Sequence, residues 1–307
     1  MTSLREGTRM QVGFTLPQAG AVAWQAPQIA RYAGTAEQLG ADSLWVIDRL
    51  LAPVQPEVGY NGSDTFPVQF QSVLDPFALL AVAASATERA TIGTNILNTP
   101  WYSPALLARM LTTLDQLSGG RLIPGLGVGW SPDEFRAVGV PMRERGERLD
   151  EILDVLERFW TADPVEHHGK HWQIDATHSA LKPVRKPPIY LAGFAPAAMR
   201  RVATRADGWL PAIAPPVLTD LDTAVNKPMA TIRQLASEAG RDPGELDMIL
   251  RIYPVVRSVT VVTDVADTIK RVAETTDVRH VLVDLLYQAD EIDQLLELVS
   301  GVLTAVR

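Results

Sequence analysis

The strongest constraint in this 307-residue chain is a rhythm: short apolar runs alternate with longer amphipathic stretches, and the pair recurs eight times. Strands are expected at residues 10–16, 43–47, 91–97, 121–127, 189–192, 208–211, 248–253 and 280–285. Helices are expected at 26–39, from about 75, and at 104–117, 145–160, 196–206, 218–239, 265–275 and 291–306. Ile29, Ala30, Ala33, Ala36 and Leu39 fall near one face of the first helix, and Gly40 stands where a helix C-terminus favours a left-handed residue. Asp75-Pro76 reads as an N-cap followed by a first-turn proline, and Gly119-Gly120 closes the third helix. A Pro- and Gly-containing loop at 49–73 interrupts the rhythm. So does 162–187, where Pro164, His167-His168-Gly169 and Pro183 suggest a small hairpin or insertion. Eight units fit a closed parallel barrel, whereas a doubly wound sheet of about six strands would leave units unassigned. The expected architecture is α/β: one (β/α)8 TIM-barrel domain over 1–307, with an insertion at about 162–187 after the fourth helix.

Composition narrows the function classes. A 47% hydrophobic and 21% charged chain can bury a large core. Acidic residues outnumber basic ones 36 to 28, for a net charge of −8, which excludes a general nucleic-acid binder. The absence of cysteine excludes disulfides and thiolate chemistry. Apolar runs such as 77–84 are too short to span a bilayer. Met1 to Gln11, polar and carrying Arg5 and Arg9, does not read as a secretory signal, so a cytoplasmic protein acting on a small molecule is expected.

In such barrels chemistry lies just beyond the C-terminal ends of the strands. After the second strand come Asp48 and Arg49, able to bond a coenzyme ring and hold an anionic group, or equally to form a salt bridge or loop cap. The third strand ends in Thr94-Asn95-Ile96-Leu97-Asn98, whose amides and hydroxyl can satisfy the polar edge of a heterocycle or simply build a turn. The fourth ends in Gly125-Leu126-Gly127-Val128-Gly129-Trp130. Alternate glycines leave one face bare, for a flat ligand or for tight packing, and the spacing is not that of the dinucleotide fingerprint. Gly193-Phe194-Ala195-Pro196 opens a helix and suits a phosphate, although an ordinary βα turn looks the same. His167, His168 and His171 lack a third-ligand pattern, so no metal is expected. A G-x-S-x-G elbow and a Walker-type loop are absent from the sequence.

Taken together these residues resemble the bacterial luciferase-like monooxygenase superfamily, and within it the actinobacterial branch that uses the deazaflavin coenzyme F420. The resemblance rests on 114–122 running into 125–130, on Glu134-Phe135 and Gly139-Val140-Pro141, and on Ser43 to Val46 with Asp48. Further matches are Pro187-Pro188-Ile189 through Gly193 and Ala206 to Trp209. It implies a ring lying across the strand ends, edged by Asp48 and a Thr94-Asn95-Ile96 bulge that includes a non-proline cis peptide. Gly127, Gly129 and Trp130 flank that ring, Gly193, Phe194 and Ala195 bind phosphate, and the chain forms a homodimer. Many F420-dependent relatives have histidine where this chain has Arg49, and the sugar-phosphate dehydrogenases place glutamate at Trp130, so neither role carries over.

The expected activity is hydride transfer between the deazaflavin and a small organic substrate, with Asp48, Arg49 and Glu134 as candidate catalytic residues. The alternatives are an FMN-dependent monooxygenase using reduced flavin and O2, and a barrel that binds coenzyme without turnover. F420 carries an acidic tail, for which Lys182, Arg185, Lys186 and Arg200 are the available cations. The loop 49–73, with Tyr60, Phe66 and Phe70, is expected to cover the pocket.

Overall fold

A computed structural model describes residues 9–307; the leading segment read above as lacking a signal lies mostly outside them. The barrel begins with β1 (Gln11–Thr15), α1 (Ile29–Leu39), β2 (Ser43–Val46) and α2 (Pro76–Ala86). Its third stave is split into β3 (Thr91–Thr94) and β4 (Leu97–Asn98), followed by α3 (Pro104–Ser118). The fourth is split by Pro124 into β5 (Leu122–Ile123) and β6 (Gly125–Gly127), followed by α4 (Pro132–Ala137) and α5 (Arg145–Thr161). After an antiparallel hairpin, β7 (Val165–His168) with β8 (Gln173–Thr177), come β9 (Tyr190–Leu191) and α6 (Pro196–Arg205). The remainder is β10 (Gly208–Trp209), β11 (Ala212–Ile213), α7 (Lys227–Glu238), β12 (Asp247–Ile252), α8 (Val261–Thr275), β13 (His280–Val283) and α9 (Ile292–Val306).

All barrel pairings are parallel. β1 pairs with β2 on one side and, through Gln11↔His280 to Phe14↔Val283, with β13 on the other, so first and last staves meet. The split staves pair half to half, β3 with β5 and β4 with β6, and this carries the ring on through β9, β10, β12 and β13. Thr94 Oγ1 donates to Gly125 O at 2.7 Å and accepts from Gly125 N at 2.8 Å, bridging the breaks in both staves.

Most of the apolar core lies between staves and helices, and a second cluster fills the ring: Trp45, Ile123, Tyr190, Leu210, Ile249 and Leu282. A Cβ on Gly93 would lie 2.3 Å from the Trp45 ring and one on Gly13 2.9 Å from Trp45 Nε1, so bare neighbours on both sides admit the indole. Below it, Trp45 Nε1 donates to Ser43 Oγ at 2.7 Å, and Ser43 Oγ meets His280 Nε2 at 2.6 Å.

The helix ends follow the sequence signals. Asp75 accepts from Ala78 N at 2.8 Å, and Gly40 and Gly119 are left-handed with φ of 104° and 66°. Two expectations are corrected. The first helix starts at Ile29, behind a 3-10 segment over Gly20–Gln28 that is kinked at Gln25, where φ is −98° and ψ 26°. The helix expected at 218–239 is α-helical only from Lys227, behind a wider turn over Asp222–Asn226. A short helix, α4, capped by Ser131, adds an element between the fourth stave and α5.

The 49–73 loop is pinned where it enters and leaves. Gln18, buried in the loop after β1, donates from Nε2 to Ile47 O and to Leu74 O, both at 2.8 Å, and accepts from Ile47 N at 2.7 Å. No helix among the described residues is long and apolar enough to cross a membrane.

Candidate functional site

The C-terminal ends of the staves open onto a cleft of about 300 Å³, within the size range of small-molecule sites. Ile47, Asp48 and Arg49 line it after β2; Asn95, Ile96 and Asn98 at the break in the third stave; Val128, Gly129 and Trp130 after β6. Ala192, Gly193 and Phe194 follow β9, and Leu210, Ala212 and Arg251 come from the next two staves. Tyr60 and Phe70 descend from the 49–73 loop and pack with Phe66 and Trp130, ring centroids 5.1 to 6.3 Å apart. The loop therefore roofs the cleft with aromatic rings.

Asp48 does not pair with its neighbour Arg49. Its Oδ2 accepts from Asn98 N at 2.7 Å and from Tyr102 Oη at 3.1 Å, and Asn98 Nδ2 donates to Asp48 O at 2.7 Å. Asn98 thus grips Asp48 by both backbone and side chain. Burial pushes the Asp48 carboxyl up to about 6, against the opposing pull of the Asn98 amide and the Tyr102 hydroxyl.

Arg49 turns to Glu134, with Nη2 2.6 Å from Oε2, and stacks over the Trp130 ring at 5.0 Å. Its Nε donates to Asp48 O at 3.1 Å, and its buried Nη1 has no partner among the described residues. Burial draws the Arg49 pKa down while Glu134 and Asp48 support the charge. Arginine stays protonated regardless.

Glu134 is fully buried, off the cleft wall, and accepts from Leu50 N at 2.9 Å. Its carboxylate, a candidate catalytic group, is here engaged by Arg49 and by the start of the loop. Thr94, also fully buried, stitches the third and fourth staves together and does not edge the cleft. A Cβ on Gly127 would lie 2.0 Å from Ile96 Cδ1, and one on Gly125 1.9 Å from Thr94 O. At Gly125 and Gly127 the missing side chains therefore make room for protein neighbours, while Gly129 lines the cleft. Ala195 is the N-cap of α6, exposed just beyond the cleft wall.

The Asn95–Ile96 peptide is cis, and the buried Asn95 Nδ2, beside the cleft, has no partner among the described residues. Gly193 has φ 131°, a conformation that side chains rarely adopt, and α6 begins without a side-chain cap. Of the four cations available for an acidic tail, three are engaged elsewhere. Arg185 Nε donates to Gly120 O and Lys182 Nζ to Phe159 O, while Lys186 pairs with Glu157, all at the N-terminal end of the staves. Of the four cations, Arg200 alone sits on the helix that starts at the cleft.

Two participants escaped the sequence reading. Arg251, at the end of β12, pairs with Asp284 through Nε and Nη2 and stacks 4.7 Å over Tyr253. Asp284, just past β13, also accepts from Thr15 Oγ1 at 3.1 Å and Leu286 N at 3.0 Å. The signal was present: an arginine between Leu250 and Ile252, and an aspartate after Val283, interrupt apolar strands at their C-terminal ends. The histidines stay on the hairpin, where His167 Nε2 lies 3.0 Å from Glu151 Oε1 and His168 Nε2 2.8 Å from Glu166 Oε1. Among the described residues no group of His, Asp and Glu is placed to hold a metal.

A closed parallel barrel with a roofed cleft at its strand ends defines a small-molecule enzyme scaffold. The chain belongs to the luciferase-like monooxygenase family, which it matches over residues 10–290. It is similar to an uncharacterised protein of Mycobacterium tuberculosis, 33% identical over 224 residues that make up 71% of this chain and 74% of that one. It is 36% identical over 163 residues to the FMNH2-dependent dimethylsulfone monooxygenase of Pseudomonas putida, covering 52% of this chain and 42% of that protein. It is 30% identical over 188 residues to the F420-dependent glucose-6-phosphate dehydrogenase of Amycolatopsis mediterranei, covering 59% and 52%. In fold it is similar to the monooxygenase RslO1 of Streptomyces bottropensis, with a TM-score of 0.79, 20% identity, and coverage of 97% of this chain and 98% of that one.

Proposed function

We propose that the chain is an oxidoreductase that holds coenzyme F420 in this cleft and exchanges a hydride with a small organic substrate. One observation carries the reading: an uncommitted amide donor, Asn95 Nδ2, shares the cleft with an uncapped helix start led by Gly193. That combination fits a heterocycle with carbonyl edges and a phosphate-bearing chain. When bound, the deazaflavin supplies the carbon that gives or takes the hydride. Asp48, held at Oδ2 by Asn98 and Tyr102, is placed to give or accept the proton of a substrate hydroxyl. Arg49, fixed by Glu134, stabilises negative charge on the substrate oxygen, and the Tyr60, Phe70 and Trp130 roof excludes water. We further propose that the protein works in the cytoplasm as a homodimer, checked by sedimentation.

A second reading, the FMN-dependent monooxygenase, is favoured by the commitment of Lys182, Arg185 and Lys186 at the far end of the barrel, since FMN has no acidic tail to receive. Parallel calorimetric titrations with F420 and FMN, on the native protein and on Gly193→Asp, separate the two. The expected result is F420 bound more tightly than FMN, weakened by roughly tenfold or more in Gly193→Asp. Binding of FMN alone overturns the reading. Coenzyme binding without turnover over a panel of alcohols, ketones and acids would leave a non-catalytic binder.

A further inference from the structure

We infer that the substrate of this cleft is a monocarboxylic acid with an apolar body, its carboxylate seated against Arg49 and Arg251. The inference rests on the cleft being the substrate site.

Each guanidinium has one nitrogen that the fold does not use. Arg49 commits Nε and Nη2 to Asp48 O and Glu134, and its Nη1 is buried without a partner. Arg251 commits Nε and Nη2 to Asp284, and its Nη1 makes no hydrogen bond among the described residues. Both side chains line the one cleft, and Arg251 is close enough to Arg49 to weaken its basicity. Two like charges face one cleft with N–H groups to spare, an arrangement that an anionic oxygen pair satisfies. Their carboxylate partners face away from the ligand: Glu134 is fully buried under Arg49, and Asp284, 2% exposed, is bound by Thr15 and Leu286.

The charge balance selects the anion. Two guanidinium charges are already offset by Glu134 and Asp284, and Asp48 adds a further negative charge once ionised. A dianion such as a phosphate monoester would leave excess charge in a desolvated cleft, whereas a carboxylate adds one unit that Asp48 can offset by taking a proton. Tyr60, Phe70 and Trp130 line the same cleft, Arg49 lying 5.0 Å from the Trp130 ring and 5.9 Å from Phe70, so an apolar or aromatic body has rings to pack on beside the carboxylate seat.

Benzoate, benzamide and phenyl phosphate are the probes, titrated by calorimetry into the native protein with and without its coenzyme. The variants are Arg251→Lys, which keeps the charge beside Asp284 but loses the fork, and the double variant Arg251→Met/Asp284→Asn, which leaves no buried charge unpaired. Benzoate is expected to bind roughly tenfold or more tightly than benzamide, and to lose most of that margin in both variants while coenzyme affinity stays within about twofold. Equal binding of benzoate and benzamide overturns the inference, as does a preference for phenyl phosphate. So does a variant effect on the coenzyme alone, which would assign Arg251 to the ring. Failure of F420 and FMN to bind, with benzoate selectivity intact, would instead remove the proposed function and keep the carboxylate seat.

Discussion

At the scale of single residues, two buried ionisable groups are displaced in directions that oppose one another. Asp48 is raised to about 6 by burial, so between the ordinary carboxylate value and 6 the folded protein binds more protons than the unfolded chain. Its contribution to stability is therefore lost as pH rises through that window. His280 is lowered to about 4 by burial, so its contribution is full above the ordinary histidine value and is lost as pH falls towards 4. Each shift of roughly two units corresponds to about 3 kcal/mol. Relative to the native protein, Asp48→Asn is thus expected to gain stability between pH 4 and 6.5, and His280→Gln to lose it over the same rise. Urea midpoints at four pH values check both, and slopes of the same sign would show the assignments to be wrong. Asp48 was legible in the sequence because it follows a strand. Its grip by Asn98 was not, because Asn98 reaches it across the break in a neighbouring stave.

At the scale of elements, the split fourth stave makes a graded prediction. Gly125→Ala drives its methyl onto the Thr94 backbone carbonyl, which cannot move without disturbing β3, whereas Gly127→Ala meets the end of the Ile96 side chain, which can rotate. The first is expected to cost about 3 kcal/mol and the second about 1 kcal/mol, read from urea unfolding. Equal costs would mean that the stave yields as a unit. Gln18→Leu is expected to leave the barrel folded and to speed proteolysis within 49–73, because it removes hydrogen bonds at both ends of the loop. Most barrel strands and helices were legible because periodicity and caps are local. The 3-10 start before α1, the wide turn before α7 and the short α4 were less so. The Ser131 cap is a local clue that the broader helical period masks.

At the scale of the whole molecule, closure makes the two ends of the chain depend on each other. α9 buries Ile292, Leu295, Leu296, Val299, Val302 and Leu303, packs on α1 and α8, and ends with Arg307 donating to Gly40 O at 2.6 Å. At roughly 1.5–3 kcal/mol for each buried aliphatic side chain, its removal costs as much as an entire domain's stability, about 5–15 kcal/mol. Deleting residues 292–307 is expected to abolish cooperative unfolding by circular dichroism, and a sharp transition in the truncated chain would contradict this. The barrel itself was legible from the count of units. Part of the site was too, since it follows the strand ends. The Arg251–Asp284 pair was missed because each half, alone in its strand, reads as an isolated charge.

The clamp formed by Gln18 bears on what this scaffold can become. Because the 49–73 segment departs and returns within reach of one side chain, its contour length is uncoupled from the ring beneath it. Past Leu50, which Glu134 holds, residues can be added, removed or exchanged with little demand on the staves. The roof is in that sense a cartridge, and a chimera that exchanges it while keeping Gln18 would present a new ceiling over the same cleft.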